Sequence, residues 1–298
     1  MKVGLIPAAA GAVNSAGSYV AEYAVAAEAS GFDSIWLGEH PALPVHSQTA
    51  YPGRREGLTA PSSAPLPDPL QWLAFAAAST TSLLLGTAIV ILPLHHPVVL
   101  AKRVATLDQL SGGRVRLGIG LGWNPQEYAA CGAAWEGRAD RCEESMEALR
   151  VLWRDNEASF EGRYVDFEPV YCSPHPVRSV VPILVGSSSL SGARRAGRLG
   201  DGYLPFERDH VRLAEHISAM KAAAVASGRD PESIEITALG GTRPERVRLL
   251  ADLGVDEMEL CALSGDLDLY PDEVLTSLAR RVGFGAAFDR ALASVTGQ

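Results

Sequence analysis

Eight short apolar runs, each followed by a segment of helical period or composition, set the tightest limit on how this chain can fold. The runs are Val3–Ile6, Ser34–Leu37, Leu83–Val90, Val115–Ile119, Ile183–Val185, Gly202–Leu204, Ile234–Ala238 and Glu257–Cys261. The helical segments are Ser18–Ser30, Asp68–Ser82, Pro97–Leu110, Pro125–Asp155, Leu190–Leu199, His210–Ser227, Pro244–Leu253 and Pro271–Leu292. Short apolar runs separated by helices describe parallel strands covered by helices. Eight such units in 298 residues match a (β/α)8 TIM barrel in number and size. A doubly wound open sheet is the other architecture this rhythm allows.

Two connections are longer than turns. The stretch from Glu39 to Pro67, after the second strand, is rich in Pro, Ser, Ala and Gly and is expected to be an active-site lid or a loop. The stretch from Phe160 to Val181, before the fifth strand, alternates aromatic and apolar residues and predicts a small hairpin. Barrel sites form where strands end, so both insertions are expected to overhang the site. No internal repeat breaks the chain, and residues 1–298 are expected to form one domain.

Composition narrows the class. Hydrophobic residues make up 47% and charged ones 20%, enough for a sizeable core. A net charge of −9 without a dense Lys/Arg run argues against a nucleic-acid or anionic-membrane surface. The first residues, Met1 to Val13, offer a charge and small apolar residues, but Pro7 interrupts a run too short for a signal sequence, so a first strand is predicted. No run approaches the ~18 apolar residues of a membrane span. Cys131, Cys142, Cys172 and Cys261 lack metal-ligand spacing and form no disulfide framework, so a reducing cytoplasm is the expected compartment.

Chemistry should sit at the strand ends. The fourth strand runs into two glycines one residue apart, Gly120 and Gly122, then Trp123, and Asn124-Pro125 has the form of a helix start. Such a strand end lets a flat ligand or a phosphate approach the backbone, or serves turn geometry alone. The second strand ends in Glu39 and His40; a histidine there either handles protons or opens the loop before Pro41. His95 and His96 are adjacent and point apart, a poor metal pair, so no metal site is expected. After the fifth strand, Gly186, Ser187, Ser188 and Ser189 precede a helix containing Arg194 and Arg195; they either bind an anion or simply cap it. The serine turn lacks the glycine of a nucleophile elbow, and Gly118 to Trp123 lacks the third glycine of a dinucleotide fingerprint.

Taken together, "GFDSIWLGEH", "LDQLSGGRVRLGIGLGW", "FEGRYVDFEPV" and "PILVGSSSLSGARRAGRLGDGYLP" resemble the bacterial luciferase-like monooxygenase superfamily, over about Val3 to Pro205. Within it the chain is similar to the branch that uses the deazaflavin coenzyme F420. The resemblance implies a barrel binding flavin or deazaflavin at its C-terminal mouth. It places His40 near the reacting ring as proton donor or acceptor, with Glu39 orienting it. It implies a non-prolyl cis peptide joining Ala88 and Ile89 behind the ring. Gly120, Gly122 and Trp123 would border the ring and ribityl chain, with Glu127 bonding in the same neighbourhood, and Gly186, Ser187 and Ser188 would hold the cofactor phosphate.

Departures refine this. Relatives carry a second glycine where Ser187 stands, sugar-phosphate dehydrogenases often have Glu in place of Trp123, and lysines for a substrate phosphate are scarce. An apolar or carbonyl-containing small substrate is therefore expected, with hydride transfer to or from coenzyme F420. The alternatives are an FMN-dependent monooxygenase needing a partner flavin reductase, and a barrel that binds flavin without turnover. The early helices, around Pro69–Ala78 and Pro97–Leu107, either form a homodimer face, as the family resemblance implies, or are ordinary barrel-covering helices.

Overall fold

In a computed structural model of the protein, residues 1–7, 15–47, 49, 63–241 and 244–261 are described. The expected final helix, Pro271–Leu292, and most of the expected lid lie outside them. Strands β1 (Lys2–Ile6), β2 (Ser34–Leu37), β3 (Leu84–Thr87), β4 (Val90–Ile91) and β5 (Val115–Gly120) alternate with helices α1 (Gly17–Ala29), α2 (Pro69–Ser79) and α3 (Pro97–Ser111). Then follow α4 (Pro125–Ala130), α5 (Arg138–Arg154), the hairpin β6 (Ala158–Glu161) and β7 (Asp166–Val170), and β8 (Ile183–Gly186). The described chain ends with α6 (Leu190–Leu199), β9 (Gly202–Leu204), α7 (His210–Ala226), β10 (Glu235–Leu239), α8 (Pro244–Asp252) and β11 (Glu257–Cys261).

The strands pair in parallel around a closed ring, β1–β2–β3–β5–β8–β9–β10–β11 and back to β1. Short β4 continues β3 along β5, so the ring has eight positions. This is the (β/α)8 barrel, and closure excludes the open sheet. Because each strand buries both faces, two apolar layers form. The larger lies between strands and helices and includes Leu5, Ile35, Leu85, Leu117, Ile183 and Met258. The smaller fills the lumen with Ile6, Trp36, Leu184 and Leu204, against Ala88, Phe206 and Leu239. Room for the Trp36 indole exists only because β3 carries Gly86, where a Cβ would lie 2.0 Å from the ring. The indole N–H donates to Ser34 Oγ at 2.6 Å and to Glu257 Oε1 at 2.9 Å, so its polar edge is satisfied inside the barrel.

Three departures from the sequence reading have identifiable causes. The third strand is not continuous from Leu83 to Val90. It breaks after Thr87 and resumes at Val90, and between them the Ala88–Ile89 peptide is cis, as the family resemblance implied. Gly86 pairs with Arg116 and Val90 with Ile119, so four residue steps face three on β5, which is a bulge. The helix expected from Pro125 to Asp155 is two helices. Gly132 and Gly137 take positive φ, and the Ala133 N–H reaches back to Tyr128 O, a left-handed stop closing α4. The hairpin forms as expected, yet its turn and the segment that follows it are hydrogen-bonded to the barrel's flank. Glu144 of α5 accepts from the N–H groups of Arg163 and Tyr164, and Gln109 and Asp108 of α3 bond the backbone of His175 and Val177.

Candidate active site

The site starts at the bulge. The Ala88 N–H donates to Leu37 O at 2.9 Å and the Glu39 N–H to Ile89 O at 3.0 Å, stitching the bulge to the end of β2. Glu39, 7% exposed, completes the stitch: its carboxylate accepts from the Ile91 N–H at 2.7 Å and lies 2.9 Å from His95 Nε2. The Ile89 side chain reaches over the ends of β5 and β8. Cβ atoms at Gly120 and Gly186 would lie 2.8 and 2.4 Å from it, so both glycines serve close approach.

His40, next along, is partly buried. Its Nδ1 lies 3.2 and 3.1 Å from the two carboxylate oxygens of Glu127, which is 1% exposed. Glu127 also accepts from the Ala42 N–H at 3.4 Å. The His40 partner is thus Glu127 on α4 and not Glu39. Adjacent side chains of an extended strand end point to opposite sides, which sends the Glu39 carboxylate to His95 instead. The His40 and Trp123 rings meet in a T-shaped arrangement, with centroids 6.1 Å apart and planes at 80°. No described residue bonds His40 Nε2.

Local sequence chemistry places Glu127. Gly122 turns the chain with φ +66°, Asn124 caps α4 by accepting from the Gln126 N–H at 2.9 Å, and Pro125 opens the helix. The described part of the loop after β2 docks on this turn. Asn124 Nδ2 donates to Ser47 Oγ at 3.1 Å, and Gln126 Nε2 to His46 O at 3.3 Å. Cys131 ends α4, and burial, then the fields of Glu127 and Glu39, push its thiol up, which makes it a poor nucleophile.

Across the mouth, β8 ends at Gly186 and α6 begins. Ser189 caps the helix, accepting from the Gly192 N–H at 3.2 Å, and the Ser187 hydroxyl sits 2.9 Å from that of Ser189. A Cβ at Gly192 would lie 2.0 Å from Ser187 Oγ, so the hydroxyl folds over the first turn through a gap this glycine leaves. Ser188 donates instead to Phe206 O at 2.7 Å. Hydroxyls and helix-start N–H groups make a donor set suited to an anionic group. Arg195 is turned away, to Glu143 at 2.9 Å.

Among the described residues, no group of three or more His, Cys, Asp or Glu could hold a metal ion, and no helix is long and apolar enough to cross a membrane. A depression of about 490 Å³ lies at the other end of the barrel, lined by Lys2, Asp33, Glu235 and Asp256 among others. There Asp33 and Asp256 are spent on the N–H groups of Val3 and Ile236, which is scaffolding. Sequence reasoning missed the His95–Glu39 and His40–Glu127 pairings; the acids and histidines were visible, but nothing local said which would meet.

A profile of the luciferase-like monooxygenase family matches residues 3–242, and one described as Rv3753c-like tRNA adenosine deaminase-associated protein matches residues 241–285. The chain is 34% identical over 241 residues to an uncharacterised protein of Mycobacterium tuberculosis, covering 78% of this chain and 83% of that one. It is 35% identical over 193 residues to the F420-dependent glucose-6-phosphate dehydrogenase of Nakamurella multipartita, covering 63% of this chain and 51% of that one. Among solved structures, the monooxygenase RslO1 of Streptomyces bottropensis aligns with TM-score 0.64 at 26% identity, covering 98% of this chain and 82% of that one. An F420-dependent secondary alcohol dehydrogenase with an F420–acetone adduct aligns with TM-score 0.66 at 22% identity, covering 93% and 81%, a likeness of fold. With four-fifths of its length matched by one profile and its barrel mouth built as described, this chain belongs to the luciferase-like monooxygenase family.

Proposed function

We propose that the protein is an F420-dependent oxidoreductase that transfers a hydride between the deazaflavin and a small, apolar or carbonyl-containing substrate. The observation that carries the reading is His40 at the mouth, anchored through Nδ1 to a buried carboxylate with Nε2 unbonded by described residues. The residues fit the cofactor: an apolar lumen floor under the bulge, Trp123 at the rim, and hydroxyls with helix-start N–H groups for a phosphate. Ala88, Ile89, Gly120, Gly122 and Trp123 would border the ring, and Gly186, Ser187 and Ser188 would hold the phosphate. The relative from Nakamurella, named for F420, supports this choice of cofactor.

Bound deazaflavin supplies hydride exchange at a ring carbon. The chain supplies the rest. A carbonyl that gains a hydride needs a proton on its oxygen, and an alcohol that loses one must give its proton up. His40 Nε2 can do either, and the Trp123 ring beside it limits water.

The similarity to the monooxygenase RslO1 across 98% of the chain favours a second reading, an FMN-dependent monooxygenase with a partner reductase. Titration of the purified protein with oxidised F420 and, in parallel, FMN, followed by quenching of Trp fluorescence, separates them. Tight binding of F420 alone is expected. Preference for FMN replaces hydride transfer by oxygen chemistry. Binding of neither removes both readings. Binding without turnover of any carbonyl or alcohol tried points to a non-catalytic flavin-binding barrel.

A further inference from the structure

We infer that Glu127 is the positioning residue of this site, fixing His40 as the Nδ1–H tautomer so that the Nε2 lone pair faces the barrel mouth. The inference rests on the reading of His40 as the proton-handling group. The sequence resemblance had assigned Glu127 to the cofactor instead.

Both oxygens of Glu127 lie within 3.2 Å of Nδ1, and Oε1 also takes the Ala42 N–H. A carboxylate with this set of neighbours acts as acceptor, so Nδ1 must carry the proton it receives. Burial makes the pairing mutual. A carboxylate 1% exposed needs a donor, and among described residues only the His40 ring and the long Ala42 contact provide one. The ring is fixed on a second side by the edge contact with Trp123. The geometry is that of a base oriented by a third group, with the orienting acid 87 residues away on another βα unit. The neighbouring pair, Glu39 with His95, works differently: that carboxylate also holds the Ile91 N–H of the bulge and belongs to the wall.

The test reads the tautomer directly. In the 15N-labelled full chain, long-range proton–nitrogen spectra distinguish protonated from bare ring nitrogens, with His40→Asn identifying the His40 signals. The wild-type spectrum at pH 8 is expected to show Nδ1 protonated and Nε2 bare. Glu127→Ala, which removes the acceptor, is expected to average the two tautomers, whereas Glu127→Gln, whose amide oxygen can still accept from Nδ1–H, is expected to keep the wild-type tautomer in part. A wild-type ring protonated on Nε2 overturns the inference, and that spectrum needs no variant to fold. So does a Glu127→Ala spectrum identical to wild type. F420 and FMN titrations of the same samples keep the two proposals apart. Failure of both cofactors to bind removes the proposed function and leaves the tautomer standing; a bound cofactor beside the wrong tautomer does the reverse.

Discussion

A proton-transferring imidazole contributes typically 10²–10⁴-fold to rate, so His40→Ala is expected to lower turnover by about that factor while F420 still binds. Full turnover by the variant with cofactor bound would remove His40 from the chemistry. A second residue governs stability rather than catalysis. Glu259 on β11 is 1% exposed, and neither carboxylate oxygen has a hydrogen-bond partner among the described residues. Burial, then the nearby Glu257, push its pKa well above the ordinary carboxylate value. The folded state therefore keeps a proton that the unfolded chain releases above about pH 4.3. Stability contributed by this group is full below that pH and falls as pH rises, by roughly 1.4 kcal/mol per unit until the raised folded pKa is passed. Glu259→Gln is expected to flatten that slope and to exceed wild type in stability at pH 8 in urea melts; an unchanged slope refutes it.

Helices and strands are held in register by a few side chains that bond to backbone. Arg114, in the turn between α3 and β5, donates to the carbonyls of Ala77, Thr80, Leu83 and Ser111 and to the Thr80 hydroxyl. Removing it strands several partly buried carbonyls at once, so Arg114→Ala is expected to cost about 3 kcal/mol by denaturant unfolding, and a loss below 1 would show that water replaces it. Glu28 of α1 ties the start of β3 from the other side. Burial opposes its charge, but the Ser82 N–H and hydroxyl, with the N–H groups of Thr81 and Leu83, pull its pKa down to about 2. Its contribution is present above the ordinary carboxylate value and lost as pH falls toward 2, an acid-limb loss that Glu28→Gln should remove. Element order was readable because Gly112-Gly113, Asn124-Pro125 and Pro97 punctuate the chain by mechanisms visible in sequence. The bulge was legible only through the family resemblance, which implied the Ala88–Ile89 cis peptide; locally "GTAIVIL" holds no Pro and nothing marks an extra residue facing β5. The site was half legible. Strand-end position singled out Glu39 and His40, but adjacency in sequence misdirected their pairing, because side-chain alternation separates what the chain puts side by side.

Beyond the single chain, Phe75 on α2 and Val99 on α3 are each 58% exposed, an outlay of apolar surface on two neighbouring helices. If two copies pair through these helices, Phe75→Asp is expected to halve the mass seen by light scattering while the far-ultraviolet spectrum stays as it was. A wild-type protein of about 31.5 kDa in solution would reject that arrangement. Closure of the ring bears on synthesis too. Lys2 to Ile6 pair with Glu257 to Cys261, so the earliest strand shares a ladder with the last described one. At roughly 5–20 residues per second, a ribosome needs about 13–50 s to deliver that partner, and for all of this time β1 carries one bare edge. The nascent chain must travel most of its length as an unsealed ribbon, the state in which foreign strands can add to it.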